Sequence, residues 1–493
     1  MRARLLRIVR RATLLVGAVV ITLLGVRIWD TQRGPELELW HTYAPVELSA
    51  DELDAADWSH YLAAEQAVFD HVRAEVTAKL EPEDRVPINR YFESSPVYAG
   101  RFVQDWNRSY VLEPEGAAIG AAVLLHGLTD APYSQRHIAA RYAEHGFVAI
   151  VPRLPAHGTV SAVLTEIEWE DWMAATRLAV REARARIGPD LPLHLVGFSN
   201  GGALAIKYAL DAVEDPALSP PDRLVLISPM IGITAFARFA GFAGLPAILP
   251  KFAKAAWLGI LPEFNPFKYN SFPVNGARQS WDLTQALQEQ IRRLARTDRL
   301  DDLSPVLTFQ SAVDFTVSTR AIITSLYAHL PANGSELVLF DMNRSAKLGP
   351  LLSSAADAVL TRVLPPPPRR FRTVVITNAG EGDEVVERVV EAGADGEQVL
   401  PLDLAYPLGV FSLSHVALPF PPGDGLYGYE PDPNEDFGIT LGTVAPRGEV
   451  GALIVSLDSL LRMSSNPFFS YLIARIEEDI GSDPRTADAP ARP

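Results

Sequence analysis

The chain has 493 residues, a formal net charge of −16 and no cysteine, and 48% of its residues are hydrophobic. The apolar content can supply a large buried core, and the length predicts an enlarged catalytic domain with appendages. The acidic charge argues against a nucleic-acid partner, because phosphate recognition needs a cationic surface. Without cysteine, the chain has no disulfide, no thiolate nucleophile and no cysteine-based metal site.

The amino terminus has the pattern of a membrane anchor. Five arginines stand among the first eleven residues, and an apolar stretch follows at residues 13–26 and continues through Ile28 and Trp29. At about 1.5 Å per residue, a helix of this length just spans the hydrocarbon layer of a bilayer. A removable signal peptide is the alternative, but no convincing small-x-small cleavage site precedes Asp30. We therefore expect residues 1–30 to be an uncleaved anchor.

The charge of the anchor also predicts an orientation. Arginines that flank an apolar segment are retained on the cytoplasmic side, so the rest of the chain is exported. In a bacterium this places the body in the periplasm or on the outer face of the inner membrane.

The next part of the chain reads as a helical extension followed by an α/β domain. Residues 31–110 form the extension, with helical spacing of apolar residues at 51–79. From residue 111 to residue 481, continuous apolar strands alternate with amphipathic helices. The predicted strands and helices of the first half are strands at 117–125, 147–151, 193–198 and 223–227, and helices at 134–145, 169–186 and 201–212. This alternation predicts a mainly parallel central sheet flanked by helices.

The alternation breaks at residues 231–300, where aromatic side chains become frequent. Lid helices and core helices have the same amphipathic pattern, so two interpretations are equal from sequence. The segment is either a cap over the site or an additional layer of the core. We describe it as a cap insertion, because it follows the strand after the nucleophile described below.

The last part of the domain contains a second insertion, at residues 341–405. Short apolar strands are predicted at 305–309 and 336–340, and a proline run at 365–368 marks a linker. Inside the insertion the pattern predicts one strand and one helix, with a turn at Gly380 and Gly382 between them; their bounds are 371–377 and 383–392. A helix at 468–480 and a disordered tail at 482–493 end the chain.

The motif Gly197-Phe198-Ser199-Asn200-Gly201 lies between an apolar strand and a helix. A serine on such a tight strand-to-helix turn has strained backbone geometry, and its hydroxyl is exposed above the carboxyl end of the strand. The small glycines give the turn the room that it needs. Ser199 is therefore the predicted nucleophile.

Two backbone amides are candidates to bind the oxyanion that forms when this serine attacks a carbonyl. The amide of Asn200 stands at a helix amino terminus, directly after the serine. The second donor should come from a loop after an earlier strand, and Leu128 follows the predicted strand that ends before His126-Gly127. We expect His126 to shape this loop and His157 to shape the neighbouring one.

A serine nucleophile needs a base that a carboxylate orients, and on this type of turn the acid and then the base follow in chain order. Asp314 lies just beyond the strand at 305–309 and is the predicted acid. His415 follows it, and no histidine comes later. The alternatives are His329 as the base, in an apparent helix, and two other acids, Asp341 and Asp403.

Three strings resemble the α/β-hydrolase superfamily, most closely its monoacylglycerol lipase, lysophospholipase and carboxylesterase group. They are His126-Gly127-Leu128-Thr129-Asp130, Arg153-Leu154-Pro155-Ala156-His157-Gly158 and Gly197-Phe198-Ser199-Asn200-Gly201-Gly202. The resemblance implies an oxyanion amide at Leu128 and a triad of Ser199, Asp314 and His415. The long insertion before His415 departs from the usual family pattern.

These observations predict a membrane-tethered serine hydrolase that cleaves carboxylic esters, with lipid-like acyl groups favoured by the aromatic segment and the anchor. The spacing typical of metal ligands, such as H-E-x-x-H, is absent from the sequence, and we expect neither a metal nor a cofactor. The alternatives are a catalytically silent binding protein with the same fold, or a peptidase, thioesterase or acyltransferase. The sequence leaves the oligomeric state open.

Overall fold

The computed structural model describes residues 2–233, 243–314, 316–343, 363–380, 382–442, 462–482 and residue 485. Within these ranges the helices are α1 Arg2–Gln32, α2 Leu39–Thr42, α3 Ala50–Ala55, α4 Trp58–Glu75, α5 Arg136–Glu144, α6 Trp169–Ile187, α7 Asn200–Glu214, α8 Val274–Ala295, α9 Thr319–Ala321 and α10 Phe469–Ser482. The strands are β1 Tyr110–Leu112, β2 Gly120–Leu125, β3 Phe147–Val151, β4 Leu193–Phe198, β5 Arg223–Ile227, β6 Trp257–Gly259, β7 Phe272–Pro273, β8 Val306–Ser311, β9 Glu336–Asp341, β10 Arg372–Asn378, β11 Glu384–Val390, β12 Gln398–Ala405, β13 Ser412–Leu413 and β14 Arg462–Met463.

The centre of the fold is a ten-stranded sheet in the order β1-β3-β2-β4-β5-β8-β9-β10-β11-β12. All neighbouring pairs from β3 to β10 are parallel, and the remaining pairs at the two ends are antiparallel. The central strands are fully buried because helices cover both faces, which explains their continuous apolar sequences. The predicted α/β class and the mainly parallel sheet are confirmed.

The second insertion extends this sheet instead of forming a separate strand and helix. The predicted strand is present as β10, which pairs in parallel with β9. The predicted helix at 383–392 is wrong, because the segment forms β11, hydrogen-bonded to β10 on one side and β12 on the other. Its valines recur at positions that suit either structure, but β-branched side chains favour a strand when partner strands are available.

The amino-terminal extension also differs from its prediction. The single helix expected at 51–79 is two helices, α3 and α4, which are separated at Ala56 and Asp57. The Asp57 carboxylate accepts a hydrogen bond from the amide of His60 at 2.8 Å and so caps α4. The capping residue Asp57, inside the helical pattern, therefore begins a new helix at Trp58.

The aromatic segment at 231–300 has two parts with different roles. Residues 243–273 form 3₁₀ turns and the β6–β7 hairpin, and they lie beside the cavity described below. By contrast, α8 packs on α7 and buries Leu283, Leu287 and Ile291 in the main core. Residues 243–273 thus contribute mainly to the cavity wall and α8 mainly to the core, although Ala277 and Ser280 at the start of α8 also line the cavity. Phe236, Phe239 and Phe242 lie outside the described residues, as does most of the tail expected to be disordered.

A buried ion cluster fastens the extension to the core. Arg153, in the loop after β3, pairs with Glu47 at 2.7 Å and with Glu65 at 3.2 Å, and all three side chains are almost fully buried. The Arg153 guanidinium also donates to the carbonyl of His157 at 3.0 Å. Removal of one partner from a buried ion pair destabilises the fold strongly, because the remaining charge stays desolvated without a counter-charge.

We expect Arg153→Met to destabilise the protein by about 3–5 kcal/mol, because Glu47 and Glu65 lose their counter-charge. The control is Arg177→Met, which removes a more exposed pair with Asp54 at 2.6 Å and should cost less than about 1 kcal/mol. The measurement is urea unfolding of both variants in detergent, followed by tryptophan fluorescence. Equal losses of stability in the two variants would contradict the importance of the buried cluster.

Candidate active site

Ser199 occupies a strained turn between β4 and α7. Its φ of 53° and ψ of −112° form a positive-φ conformation that non-glycine residues rarely adopt, and its amide donates to the carbonyl of Ile227 at 3.0 Å. The neighbouring glycines are required by space. A Cβ at Gly197 would stand 2.3 Å from the Gly201 carbonyl oxygen, and one at Gly201 would stand 2.1 Å from that of Leu125. The turn is therefore held against the ends of the neighbouring strands.

The structure brings Ser199, His415 and Asp314 together at the carboxyl ends of the strands. Nε2 of His415 lies 3.0 Å from Oγ of Ser199, and its Nδ1 lies 2.8 Å from Oδ2 of Asp314. The ring of Phe198 stacks on the imidazole with 5.3 Å between centroids. A chain of hydrogen bonds thus runs from the hydroxyl through the imidazole to the carboxylate.

Further donors hold the Asp314 carboxylate in this orientation. Its Oδ1 accepts from the amides of Thr316 and Val317 at 2.8 and 3.1 Å. Its Oδ2 accepts from Oγ of Ser228 at 3.2 Å and from Nε2 of Gln310 at 3.1 Å. A carboxylate with so many donors has little freedom to rotate away from the imidazole.

The same contacts keep Asp314 ionised. Burial by itself would raise the pKa of this carboxyl group, but the adjacent His415 imidazole and the amide of Val317 lower it below the ordinary value. At neutral pH the group is therefore an anion facing the imidazole. It can orient the ring and stabilise the positive charge that a general base acquires.

Contacts around the preceding strand explain how His415 reaches the site after a long insertion. Oγ of Ser311, at the end of β8, donates to the carbonyl of Leu413 at 3.1 Å. Oγ of Ser414 donates to the carbonyl of Met463 at 2.8 Å, next to the pairing of β13 with β14. The loop that carries the histidine is thus fixed to the sheet, and the inserted strands lie to one side of it.

The two predicted oxyanion donors flank the serine. The amide of Asn200 is the first of α7, and Leu128 lies in the loop after β2 and lines the cavity. His126 braces this loop, since its Nδ1 contacts the Gly127 carbonyl at 2.9 Å and its Nε2 accepts from the Leu154 amide at 3.0 Å. One ring nitrogen faces an acceptor and the other faces a donor, so the network assigns a neutral imidazole.

A cavity of about 750 Å³ opens in front of Ser199 and His415. This volume is within the usual range for sites that bind small molecules. Most of the described residues in its wall are apolar, among them Leu128, Met230, Ile233, Leu258, Phe272 and Val317. Polar side chains enter the wall at Thr129, Lys268, Asn270 and Ser280.

Several residues around Asp314 and in the cavity wall were not predicted from the sequence. Ser228 and Gln310 hold Asp314, and their positions at the ends of β5 and β8 are a signal that could have been used. Lys268 and Asn270 have no such signal, because they belong to an irregular loop inside the aromatic segment.

The alternatives to the predicted acid and base lie on other elements. His329 follows the π-helical turn Ile322–Tyr327, Asp341 is the last residue of β9, and Asp403 belongs to β12. The carboxylate that contacts His415 Nδ1 is that of Asp314.

Comparison with known proteins identifies the family. The model of the alpha/beta hydrolase family matches residues 122–421, so the chain belongs to this family. A thermostable monoacylglycerol lipase from Bacillus sp. (strain H-257) is 26% identical over 204 residues, which are 41% of this chain and 73% of the relative.

Solved structures give more distant matches. One, from a study of the metagenome-derived lipolytic enzymes LipS and LipT, has 21% identity and a TM-score of 0.36, and the match covers 45% of this chain and 84% of that one. A monoacylglycerol lipase from Paleococcus ferrophilus has 17% identity and a TM-score of 0.33, covering 45% of this chain and 83% of that one.

Because two histidines near the site are buried, we expect the folded protein to lose stability in acid. Burial lowers the pKa of His157 to about 4 and that of His126 well below its ordinary value. Between the unfolded pKa near 6.5 and these folded values, the unfolded chain binds protons that the folded protein excludes. Stability is therefore complete above about pH 7 and falls as the pH decreases towards 4.

We expect His157→Gln to reduce the stability difference between pH 7.5 and pH 5 by about 2 kcal/mol. The measurement is urea unfolding at the two pH values. His60→Gln, which changes an exposed histidine on α4, is the control and should leave the difference unchanged. A pH dependence that is the same in all three proteins would show that His157 is not kept neutral by the fold.

Proposed function

We propose that this protein is a membrane-tethered serine hydrolase that cleaves carboxylic esters through an acyl-enzyme intermediate. Ser199 is the nucleophile, His415 the general base and acid, and Asp314 the carboxylate that orients the imidazole. The observation that carries this proposal is the hydrogen-bonded series from Ser199 through His415 to Asp314, at 3.0 and 2.8 Å, in the wall of a large cavity.

In the first half of the reaction, Oγ of Ser199 attacks the ester carbonyl while Nε2 of His415 takes its proton. The carbonyl oxygen becomes an anion, and the amides of Leu128 and Asn200 are the proposed donors to it. The imidazolium then gives the proton to the leaving alcohol, and the acyl group remains on the serine. Ionised Asp314 stabilises the imidazolium throughout.

In the second half, water enters from the cavity and His415 removes a proton from it. The resulting attack forms a second oxyanion; as it collapses, the imidazolium of His415 gives its proton to Oγ of Ser199, the bond from Oγ to the acyl carbon breaks, and the carboxylic acid is released. The apolar wall, with Leu258, Phe272 and Ile233, fits an acyl chain, and the Bacillus relative named as a monoacylglycerol lipase supports a lipid-like ester.

Ser199→Ala should lower turnover of p-nitrophenyl butyrate by at least about 10⁴-fold and abolish labelling by a fluorophosphonate probe, because the attacking hydroxyl is gone. The matched control is Ser280→Ala. Ser280 also lines the cavity, but its Oγ donates to the Gly276 carbonyl within α8.

Labelling of Ser199→Ala at the parent rate would exclude this serine as the nucleophile. A parent protein that is neither labelled nor active on any ester would instead favour a catalytically silent binding protein.

The proposed tether is α1. Its segment Ile8–Gln32 has 25 residues and a mean hydropathy of 2.1, which is long and apolar enough to cross a bilayer. Apolar side chains such as Leu14, Leu15 and Ile21 are exposed along it. The arginines at its start favour a cytoplasmic amino terminus, so the catalytic domain would stand on the opposite side.

Contacts at the end of α1 connect this tether to the wall of the cavity. Arg27 donates to the carbonyl of Trp257 in β6, and Lys254 pairs with Glu36 at 2.8 Å and donates to the carbonyl of Gly34 at 3.2 Å. Exposed apolar side chains surround this junction at Leu245, Ile248, Leu249, Leu258 and Leu261. These contacts would hold the cap segment close to the bilayer surface.

The double variant Val19→Arg/Val20→Arg should leave the membrane fraction, because each central arginine costs about 2.5–3.5 kcal/mol of insertion free energy. The control is Val19→Leu/Val20→Leu, which should stay in the membrane. The intact mass of the parent from membranes then separates an anchor, which keeps residues 1–30, from a cleaved signal. A parent that fractionates as a soluble protein at its full mass would contradict the tether.

A further inference from the structure

Lys268 stands on a rigid loop beside the loop that carries the oxyanion donor Leu128. The amide of Tyr269 donates to the Thr129 carbonyl at 2.8 Å, which joins the two loops directly. On either side, the carbonyl of Lys268 accepts from Arg90 at 3.2 Å, and the amide of Asn270 donates to Glu263 at 2.9 Å. The backbone that presents the lysine to the cavity is therefore fixed on both sides.

The ammonium group of Lys268 has Asp130 as its acidic neighbour. Among the residues that the structure describes, no carboxylate is paired with it within 4 Å. Asp130 is the acidic group that acts on it electrostatically from further away. Burial lowers the pKa of Lys268, while Asp130 opposes this shift. An incompletely solvated ammonium at the wall of a cavity gains free energy when an anion binds beside it.

Both apolar and polar residues line the cavity, and the polar group that includes Lys268 adjoins the oxyanion loop through the hydrogen bond from Tyr269 to Thr129. Leu258 and Phe272 from residues 243–273, and Ala277 from the start of α8, contribute apolar side chains to its wall. Thr129, Lys268 and Asn270 form the polar group. An acyl chain fits the apolar side chains, so the alcohol side of an ester is left for the polar group that contains the lysine.

We propose that Lys268 is a substrate-binding residue that selects esters whose alcohol carries an anionic group, a carboxylate or a phosphate, close to the scissile bond. This inference rests on the proposed ester hydrolysis and adds a substrate class to it. A phosphate on a lipid alcohol and a carboxylate on a small soluble alcohol share the chemistry that the ammonium recognises.

A cation near the oxyanion loop could instead stabilise the oxyanion of every substrate, and the test must separate these roles. The two probes are 4-butyryloxybenzoate and 4-butyryloxybenzamide, which share the acyl group and nearly the same shape and differ in the charge of the alcohol. The variants are Lys268→Met, which keeps the length of the side chain, and Lys268→Arg, which keeps the charge.

The parent should prefer the carboxylate ester. In Lys268→Met, kcat/KM for this ester should fall by about 10- to 100-fold, mainly through KM, because a hydrogen bond to a charged group is lost. Turnover of the carboxamide ester should change by less than about threefold, and Lys268→Arg should keep the preference. Unchanged fluorophosphonate labelling and an unchanged unfolding midpoint verify that each variant is folded.

An equal fall for both esters in Lys268→Met, or no fall for either, overturns the role of Lys268 in selecting the anion. If the parent hydrolyses both esters at the same rate, the inference fails while ester hydrolysis stands. If the parent hydrolyses neither ester and is not labelled, the proposed function fails as well. A second pair, 1-lauroylglycerol and 1-lauroylglycerol 3-phosphate, repeats the comparison with a lipid alcohol; a preference for the phosphate ester that Lys268→Met removes supports the inference for lipids, and its absence restricts it to soluble alcohols.

Discussion

The hydrogen bond between Ser199 Oγ and His415 Nε2 is the constraint that organises this protein. It joins two residues that are 216 positions apart in the chain and needs both to be placed to within a few tenths of an ångström. The serine is fixed by a strained turn. Glycines on both sides of it allow the backbone to pack closely against the end of a neighbouring strand. The residues just before the histidine, Leu413 and Ser414, are fixed by hydrogen bonds with Ser311 at the end of β8 and with Met463 in β14.

This arrangement explains how the fold tolerates a large insertion between the acid and the base. Strands β10, β11 and β12 add to the edge of the sheet beyond β9, where new strands find free backbone partners. The chain then returns to the end of β8 before it reaches His415. The inserted segment therefore enlarges the sheet without entering the line from Ser199 to Asp314.

The sequence predicted the central strands closely because they are buried on both faces, which leaves continuous apolar runs between turns. The predicted bounds of β3, β4 and β5 are those of the structure. The prediction from sequence was wrong at β11. The valines of this strand fit both a helical and an extended periodicity, and its structure depends on pairing with β10 and β12. The break between α3 and α4 was missed because one capping aspartate decided it.

The candidate site also contains residues that could be predicted from the sequence and one that could not. Ser199, Asp314 and His415 follow from a local turn motif and from chain order, and the structure brings their side chains together. Lys268 could not be predicted, because only the folded loop places this residue in the wall of the cavity. The residue proposed to select the substrate thus came from tertiary contacts, while those proposed for the chemistry came from short patterns.

A crystal structure of the protein inhibited by an alkyl phosphonate is the most direct test of the central claim. The account predicts a bond from phosphorus to Ser199 Oγ, with the phosphonyl oxygen about 2.7–3.1 Å from the amides of Leu128 and Asn200, and His415 still bound to Asp314. Phosphorus on another residue, or a phosphonyl oxygen directed away from both amides, would contradict the account.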